Sequence, residues 1–218
     1  VKVHYDVVQR SDEWRRLRAG KLTGSRAKDM LAAVKSGEAA KRRDLRYQLI
    51  TERLTGTPQE SGYVNAAMEW GTAHEAEAVA AYEAETGQLV QAVGFCEHGE
   101  LLAGTSPDGF VGDDGILSIK CPMTATHVSY LRQGGEPSEH AAQNTHELWL
   151  TQRAFIDFFS YDPRLPVGLR CFLVRVTRSG EDRQKYDAEA RKFLAEVDTE
   201  YQALATMADL AGTLKAAV

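Results

Sequence analysis

The sequence predicts an α/β domain: a small central mixed β-sheet flanked by helices. Three observations predict it. Helical patterns fill the first part of the chain, and after Gly87 the period shortens to that of strands. The order is then helices, a compact group of strands, a helix, a strand and a final helix. With 43% hydrophobic and 26% charged residues in 218, the chain can bury one sizeable core, which excludes a disordered protein. No internal repeat or low-complexity run divides it, so it reads as a single unit over residues 1–218. Its parts are a helical N-terminal portion (about 11–87), a sheet core (about 88–178) and a C-terminal helix (about 181–213).

The first helix is expected to begin near Thr23-Gly24-Ser25, where a hydroxyl can cap it, and to run through RAKDMLAAV. A second covers roughly 40–55 and stops at Thr55-Gly56-Thr57-Pro58. A third runs from about Trp70 to Thr86. LVQAVGF, LLAGTS, GFV, ILSIK and LRCFLVRV are short and rich in branched or aromatic residues, and read as strands. Gly112-Asp113-Asp114-Gly115 joins GFV to ILSIK as a hairpin turn. A helix of about 20 residues is expected from Glu139 to Ser160, with Trp149 and Phe155 as core residues on it, closed by Tyr161-Asp162-Pro163. The last helix carries Tyr186, Phe193, Val197, Tyr201 and Leu204 on one stripe, mostly for packing and in part for a subunit interface.

The net charge of −5 is unevenly spread. Residues 1–60 hold 14 Lys+Arg against 8 Asp+Glu, and residues 61–218 hold 12 against 23. A balance of +6 followed by −11 describes either a solvated helix face or a face for a polyanion. Cys96, Cys121 and Cys171 are too few and too irregular for a disulfide framework or a zinc motif, and suit a reducing cytoplasm. No run approaches the ~18 apolar residues of a membrane span, and VKVHYDVVQRSDEW lacks the apolar core of a signal peptide.

The chemistry concentrates around Ser106-Pro107-Asp108-Gly109 and Ile116 to Pro122. On a strand, Ser118 and Lys120 share a face while Leu117 and Ile119 point to the other. The hairpin brings Asp108 beside them. A carboxylate and an ammonium so placed suit metal-assisted hydrolysis, the carboxylate holding a hard cation and the lysine positioning a water. They equally describe a salt bridge between strands, and the residues alone leave both open. In the third helix Glu75, Val79 and Tyr82 lie on one face, so Glu75 is either drawn inward, where a carboxylate needs a cation or hydrogen bonds, or sits at the stripe's edge and reaches water. His74 points about 100° away. Cys121 alternates away from Lys120 and reads as a packed thiol.

Five collinear motifs then carry a resemblance: W-x-x-L-R-x-G-x-x-T-x-S at 14–25, W-G-x-x-x-E at 70–75, S-P-D-G at 106–109, I-K-C-P at 119–122 and Y-D-P-R at 161–164. Together they resemble the phage lambda exonuclease family, the alkaline-exonuclease branch of the PD-(D/E)xK nucleases, over about residues 14–178. The resemblance implies a restriction-endonuclease-like core. It also implies an Mg²⁺-dependent enzyme, with Mn²⁺ able to substitute, that digests one strand of duplex DNA from its 5′ end. Asp108, Glu75 and the Ile119 carbonyl match metal ligands, Lys120 the lysine near the attacking water, and Gln143 a glutamine bordering the site. Arg18, Thr23 and Ser25 match the 5′-phosphate pocket, which one guanidinium and two hydroxyls at a helix N-terminus also suit chemically. A homotrimeric ring on double-stranded DNA ends, a single-strand annealing partner, a part in phage-type recombination and a cytoplasmic setting in a bacterial or phage-infected host are implied as well.

Two positions depart from the family pattern. Ser118 stands where an acidic residue is usual, and a hydroxyl is a weaker Mg²⁺ ligand. Asp113 and Asp114 read as solvated turn residues rather than substitutes. Thr126 stands where the family has a DNA-gripping arginine, which makes Lys41, Arg42, Arg43 and Arg46 a candidate for the missing grip. Ser118 keeps open a catalytically weakened or dead DNA-end binder, and a structure-specific endonuclease is the other alternative.

Overall fold

The computed structural model describes residues 1–59 and 65–216. The chain opens with β1 (Lys2–His4), α1 (Asp12–Arg18) and β2 (Leu22–Thr23). Ser11 caps α1 by accepting the Trp14 amide. The helix expected from Thr23 is shorter than its pattern suggests: a 3-10 turn over Gly24–Arg26 leads into a single α-helical turn, α2 (Ala27–Met30). Next come α3 (Ala40–Thr55) and α4 (Ala66–Thr86), ended by Gly56 and Gly87 in left-handed conformations.

Five strands follow: β3 (Val90–Gln91), β4 (Phe95–Glu97), β5 (Ala103–Thr105), β6 (Gly109–Val111) and β7 (Gly115–Lys120). The chain continues through α5 (Thr124–Gln133), α6 (Ala141–Thr151), β8 (Phe155–Tyr161), β9 (Cys171–Thr177) and α7 (Gly180–Ala216).

The strands form two mixed sheets rather than one. The central sheet has the order β3-β6-β7-β8-β9, with β7 and β8 parallel and the other pairs antiparallel. The second has the order β1-β4-β5-β2, with β2 and β5 parallel.

The helix expected over 139–160 is two elements. Gln152, at φ 60, ends α6 and turns the chain into β8, so Phe155 lies on a strand. FIDFFSY reads continuously apolar because both faces of β8 are covered. Ile116 and Phe158 join the core that also holds Leu148 and Trp149 of α6. Leu117, Ile119, Phe159 and Tyr161 join the cluster with Tyr82 of α4. Each such side chain contributes roughly 1.5–3 kcal/mol by leaving water. The face of β7 bearing Ser118 and Lys120 therefore turns toward α6, and the Ile119 face toward α4. On α7, Tyr186, Phe193 and Val197 are buried, Tyr201 packs at the core's edge, and Leu204 is exposed.

The cluster in α3 is committed within the chain. Arg42 pairs with Glu38 and Glu196, and Arg46 with Glu38 and Glu200. Arg43 pairs with Asp44, while Lys41 is exposed. Arg42 and Arg46 link α3 to α7, which leaves Lys41 and Arg43 as the exposed members of the cluster expected to grip phosphate.

Candidate active site

The β6–β7 hairpin pairs Gly109 with Leu117 and brings the preceding Asp108 back onto β7. Asp108 Oδ2 accepts the Ile119 amide at 2.6 Å and lies 3.9 Å from Lys120 Nζ. Lys120 Nζ donates to Ser118 Oγ at 3.3 Å, so the two side chains share a face as alternation requires. Gly109 permits this turn: a Cβ there would sit 2.3 Å from Val90 Cγ1. Burial raises the Asp108 pKa, Lys120 and the Ile119 amide oppose the rise, and Glu75 adds to it.

Glu75 projects from α4 on the stripe that buries Tyr82, but it sits at the stripe's edge, with its side chain 35% exposed. Arg10 donates to its Oε2 at 2.7 Å from a backbone at φ 70, a conformation uncommon outside glycine. Arg10, Glu75, Asp108, Ile119, Lys120 and His140 line one cavity of about 440 Å³. Burial, with the Lys120 charge, lowers His140 to about 4, so it is neutral near pH 7.

A second cavity, of about 360 Å³, is lined by Arg15, Arg18, Lys21, Thr23, Ser25 and Arg26, among others. The Arg18 guanidinium stacks 4.0 Å from the Trp14 ring centroid, and the Trp14 indole donates to Ser106 Oγ at 2.8 Å. Thr23 and Ser25 hydroxyls are 3.3 Å apart. Ser25 lies within the 3-10 turn, not at the N-terminus of a long helix, so the anion chemistry there rests on side chains. Gly24 lets this turn approach β5, since a Cβ would meet Thr105 Oγ1 at 3.1 Å.

A third cavity joins the first two: it shares Arg10 with one and Arg18 and Ser25 with the other, and adds Ser106, Gln143 and Glu147. Gln143 Nε2 donates to Glu147 Oε1 at 2.8 Å. Glu147 is 2% exposed, and its Oε2 has no hydrogen-bond partner. Burial pushes its pKa up to about 7, against the pull of Gln143 and Lys120.

Thus Glu75, Asp108, Ile119 and Lys120 share one cavity, Arg18, Thr23 and Ser25 another, and Gln143 borders the link between them. Sequence reading missed Arg10 and Glu147, and named Trp14 and Ser106 within motifs without giving either a role. Glu147 had one usable signal, its position four residues after Gln143 on the same helix face.

The remaining candidates have structural roles. The Cys121 thiol is buried and pushed up to about 12 by burial and by Glu75 and Asp108, which makes it a poor nucleophile. Thr126 sits in the first turn of α5, and Asp113 and Asp114 are exposed in the hairpin turn. Asp162 binds Arg164, whose guanidinium stacks 4.0 Å from the Trp70 ring centroid and donates to the Pro122 carbonyl. Y-D-P-R therefore fastens α4 to the chain just after Lys120.

The donors offered are hard oxygens, which suit a cation such as Mg²⁺. Glu75 adds to the cost of ionising Asp108, and Glu147 carries a buried oxygen without a partner, the electrostatic pattern a cation relieves. Among the described residues no three acidic, His or Cys side chains already converge as a cage. Glu75 turns instead to Arg10.

The sequence profile of the YqaJ-like viral recombinase domain matches residues 13–154. The structure is similar to LHK-Exo, an alkaline exonuclease from Laribacter hongkongensis, at 38% identity and a TM-score of 0.83, covering 92% of this chain and all of that one. The same enzyme crystallised with dAMP matches equally well. A phage-related exonuclease from Haemophilus somnus 129PT shares the fold at 15% identity, with a TM-score of 0.63 over 86% of this chain and 96% of the other. No curated protein sequence matches significantly.

Proposed function

The chain belongs to the YqaJ-like viral recombinase family, and on that premise we propose that it is a divalent-metal-dependent 5′-to-3′ exonuclease that digests one strand of double-stranded DNA from its end. The observation that carries this reading is the adjacency of three cavities that share lining residues. The Asp108–Lys120 cavity and the Arg18–Ser25 cavity are joined by one lined with Arg10, Arg18, Ser25, Ser106 and Gln143. A terminal 5′-phosphate seated against Arg18 sets the first scissile phosphodiester within reach of Asp108 and Lys120. The resemblance to a crystallised alkaline exonuclease and to its form with dAMP supports an end-directed nuclease.

In this reading Asp108, Glu75 and the Ile119 carbonyl hold Mg²⁺, for which Mn²⁺ substitutes. The bound ion supplies charge for the phosphate and leaving oxygen and acidifies a water. Lys120 orients that water and offsets anionic charge, with Ser118 fixing its ammonium. Gln143 borders the scissile group. Arg18, Thr23 and Ser25 bind the 5′-phosphate, and Trp14 holds the guanidinium plane. We further propose a homotrimeric ring, a single-strand annealing partner in recombination and a cytoplasmic setting; no helix among the described residues is long and apolar enough to cross a membrane.

Strand-labelled linear duplex with 5′-phosphate or 5′-hydroxyl ends, incubated with Mg²⁺ or EDTA, tests the activity. Loss of the 5′ label first, dependent on Mg²⁺ and faster on phosphorylated ends, is the expected result. Binding of ends without cleavage at any Mg²⁺ concentration identifies a dead end-binder instead. Cutting of closed circles identifies an endonuclease. Light scattering at micromolar concentration that reports a monomer removes the ring.

A further inference from the structure

Position 118 holds a hydroxyl where the pattern the chain resembles usually has a carboxylate, and α6, which packs on that side of β7, carries a buried carboxylate, Glu147. Ser118 shares its face of β7 with Ile116 and is paired in register with Phe158. Ile116 and Phe158 belong to the core completed by Leu148 and Trp149 of α6, the helix that bears Glu147. Both Lys120 and Asp108 lie within electrostatic range of Glu147.

Among the described residues Glu147 is the only carboxylate with a buried oxygen lacking a partner, and it lines the linking cavity beside Gln143, Arg18, Ser25 and Ser106. An unpaired carboxylate oxygen is costly to bury, and in a pocket otherwise suited to phosphate it repels the ligand. A divalent cation held between Glu147 and Asp108 removes both costs.

We propose that Glu147 supplies the carboxylate missing at position 118 and holds the divalent cation together with Asp108. The proposal rests on the reading of Asp108 as a metal ligand, and the test separates the two. Mn²⁺ binding to the intact protein without DNA is measured by calorimetry for the wild type, Asp108→Asn, Glu147→Gln, Glu147→Asp and Glu147→Gln combined with Ser118→Glu. Thermal melts check folding.

Asp108→Asn and Glu147→Gln are each expected to weaken Mn²⁺ binding by about ten- to a hundredfold, and Ser118→Glu to restore most of the loss in the Glu147→Gln background. If Glu147→Gln does not fold, Glu147→Asp, which withdraws the carboxylate by one methylene, gives the same weakening. Unchanged affinity in a folded Glu147 variant, with loss in Asp108→Asn, overturns the role of Glu147 and leaves that of Asp108 standing. No loss in either overturns the reading of Asp108 and this proposal with it. Failure of Ser118→Glu to restore binding in a folded double variant shows that Glu147 does not replace residue 118.

Discussion

Removing the Arg18 guanidinium tests how this enzyme reads a DNA end. The group is preorganised: its plane stacks 4.0 Å from the Trp14 ring centroid, and Trp14 is pinned through its indole N–H to Ser106. It faces two joined cavities that also contain Ser25. A hydrogen bond to a charged partner contributes roughly 1.5–3 kcal/mol, so Arg18→Ala is expected to slow digestion of a 5′-phosphorylated duplex by about ten- to 150-fold. The lost stacking on Trp14, about 0.5–1 kcal/mol at an exposed site, affects both substrates alike and cancels in their ratio. A 5′-hydroxyl end offers no such anion. Arg18→Lys keeps the charge but loses the planar fork, and should fall between wild type and alanine. Single-turnover rates on matched duplexes with 5′-phosphate and 5′-hydroxyl ends measure the ratio directly. Equal slowing on both ends would refute the assignment of Arg18 to the terminal phosphate.

Three further outcomes follow from the same geometry. Asp108→Ala removes the carboxylate that accepts the Ile119 amide and faces Lys120, and cleavage should fall below detection while filter binding of duplex ends persists. Ser118→Glu in the Glu147→Gln background adds back a hard ligand on the Lys120 face, so an Mg²⁺ titration should show a lower concentration for half-maximal rate than Glu147→Gln alone; an unchanged or higher requirement counts against a carboxylate at residue 118 reaching the cation. Burial by itself raises Asp162, but Arg164 and the Thr124 hydroxyl outweigh it and hold the group at about 2. Its folded pKa is thus depressed, and the stability it contributes, about 2 kcal/mol, is complete above the unfolded value near 3.8 and lost as pH falls through about 2. Asp162→Asn should therefore lower the melting temperature at pH 7, with the difference vanishing near pH 2.

What the sequence determined by itself was local. The β6–β7 hairpin follows from its turn and from alternation, and with it the common face of Ser118 and Lys120 and the return of Asp108. The helical stripe correctly turned Val79 and Tyr82 of α4 into the core, while Glu75 stayed at its edge, partly exposed. These relations hold within a dozen residues, where strand and helix periods fix direction. Tertiary structure decided the rest. FIDFFSY became a strand because two helical layers cover both its faces, which its apolar pattern cannot distinguish from a buried helix. Arg42 and Arg46 met Glu196 and Glu200 because α7 returns along α3 from about 150 residues away. Glu75 found Arg10, and Glu147 was carried into the linking cavity, through contacts between segments far apart in the chain. Charge pairing and burial depend on which distant groups meet, and periodicity records only which way a side chain points from its own element.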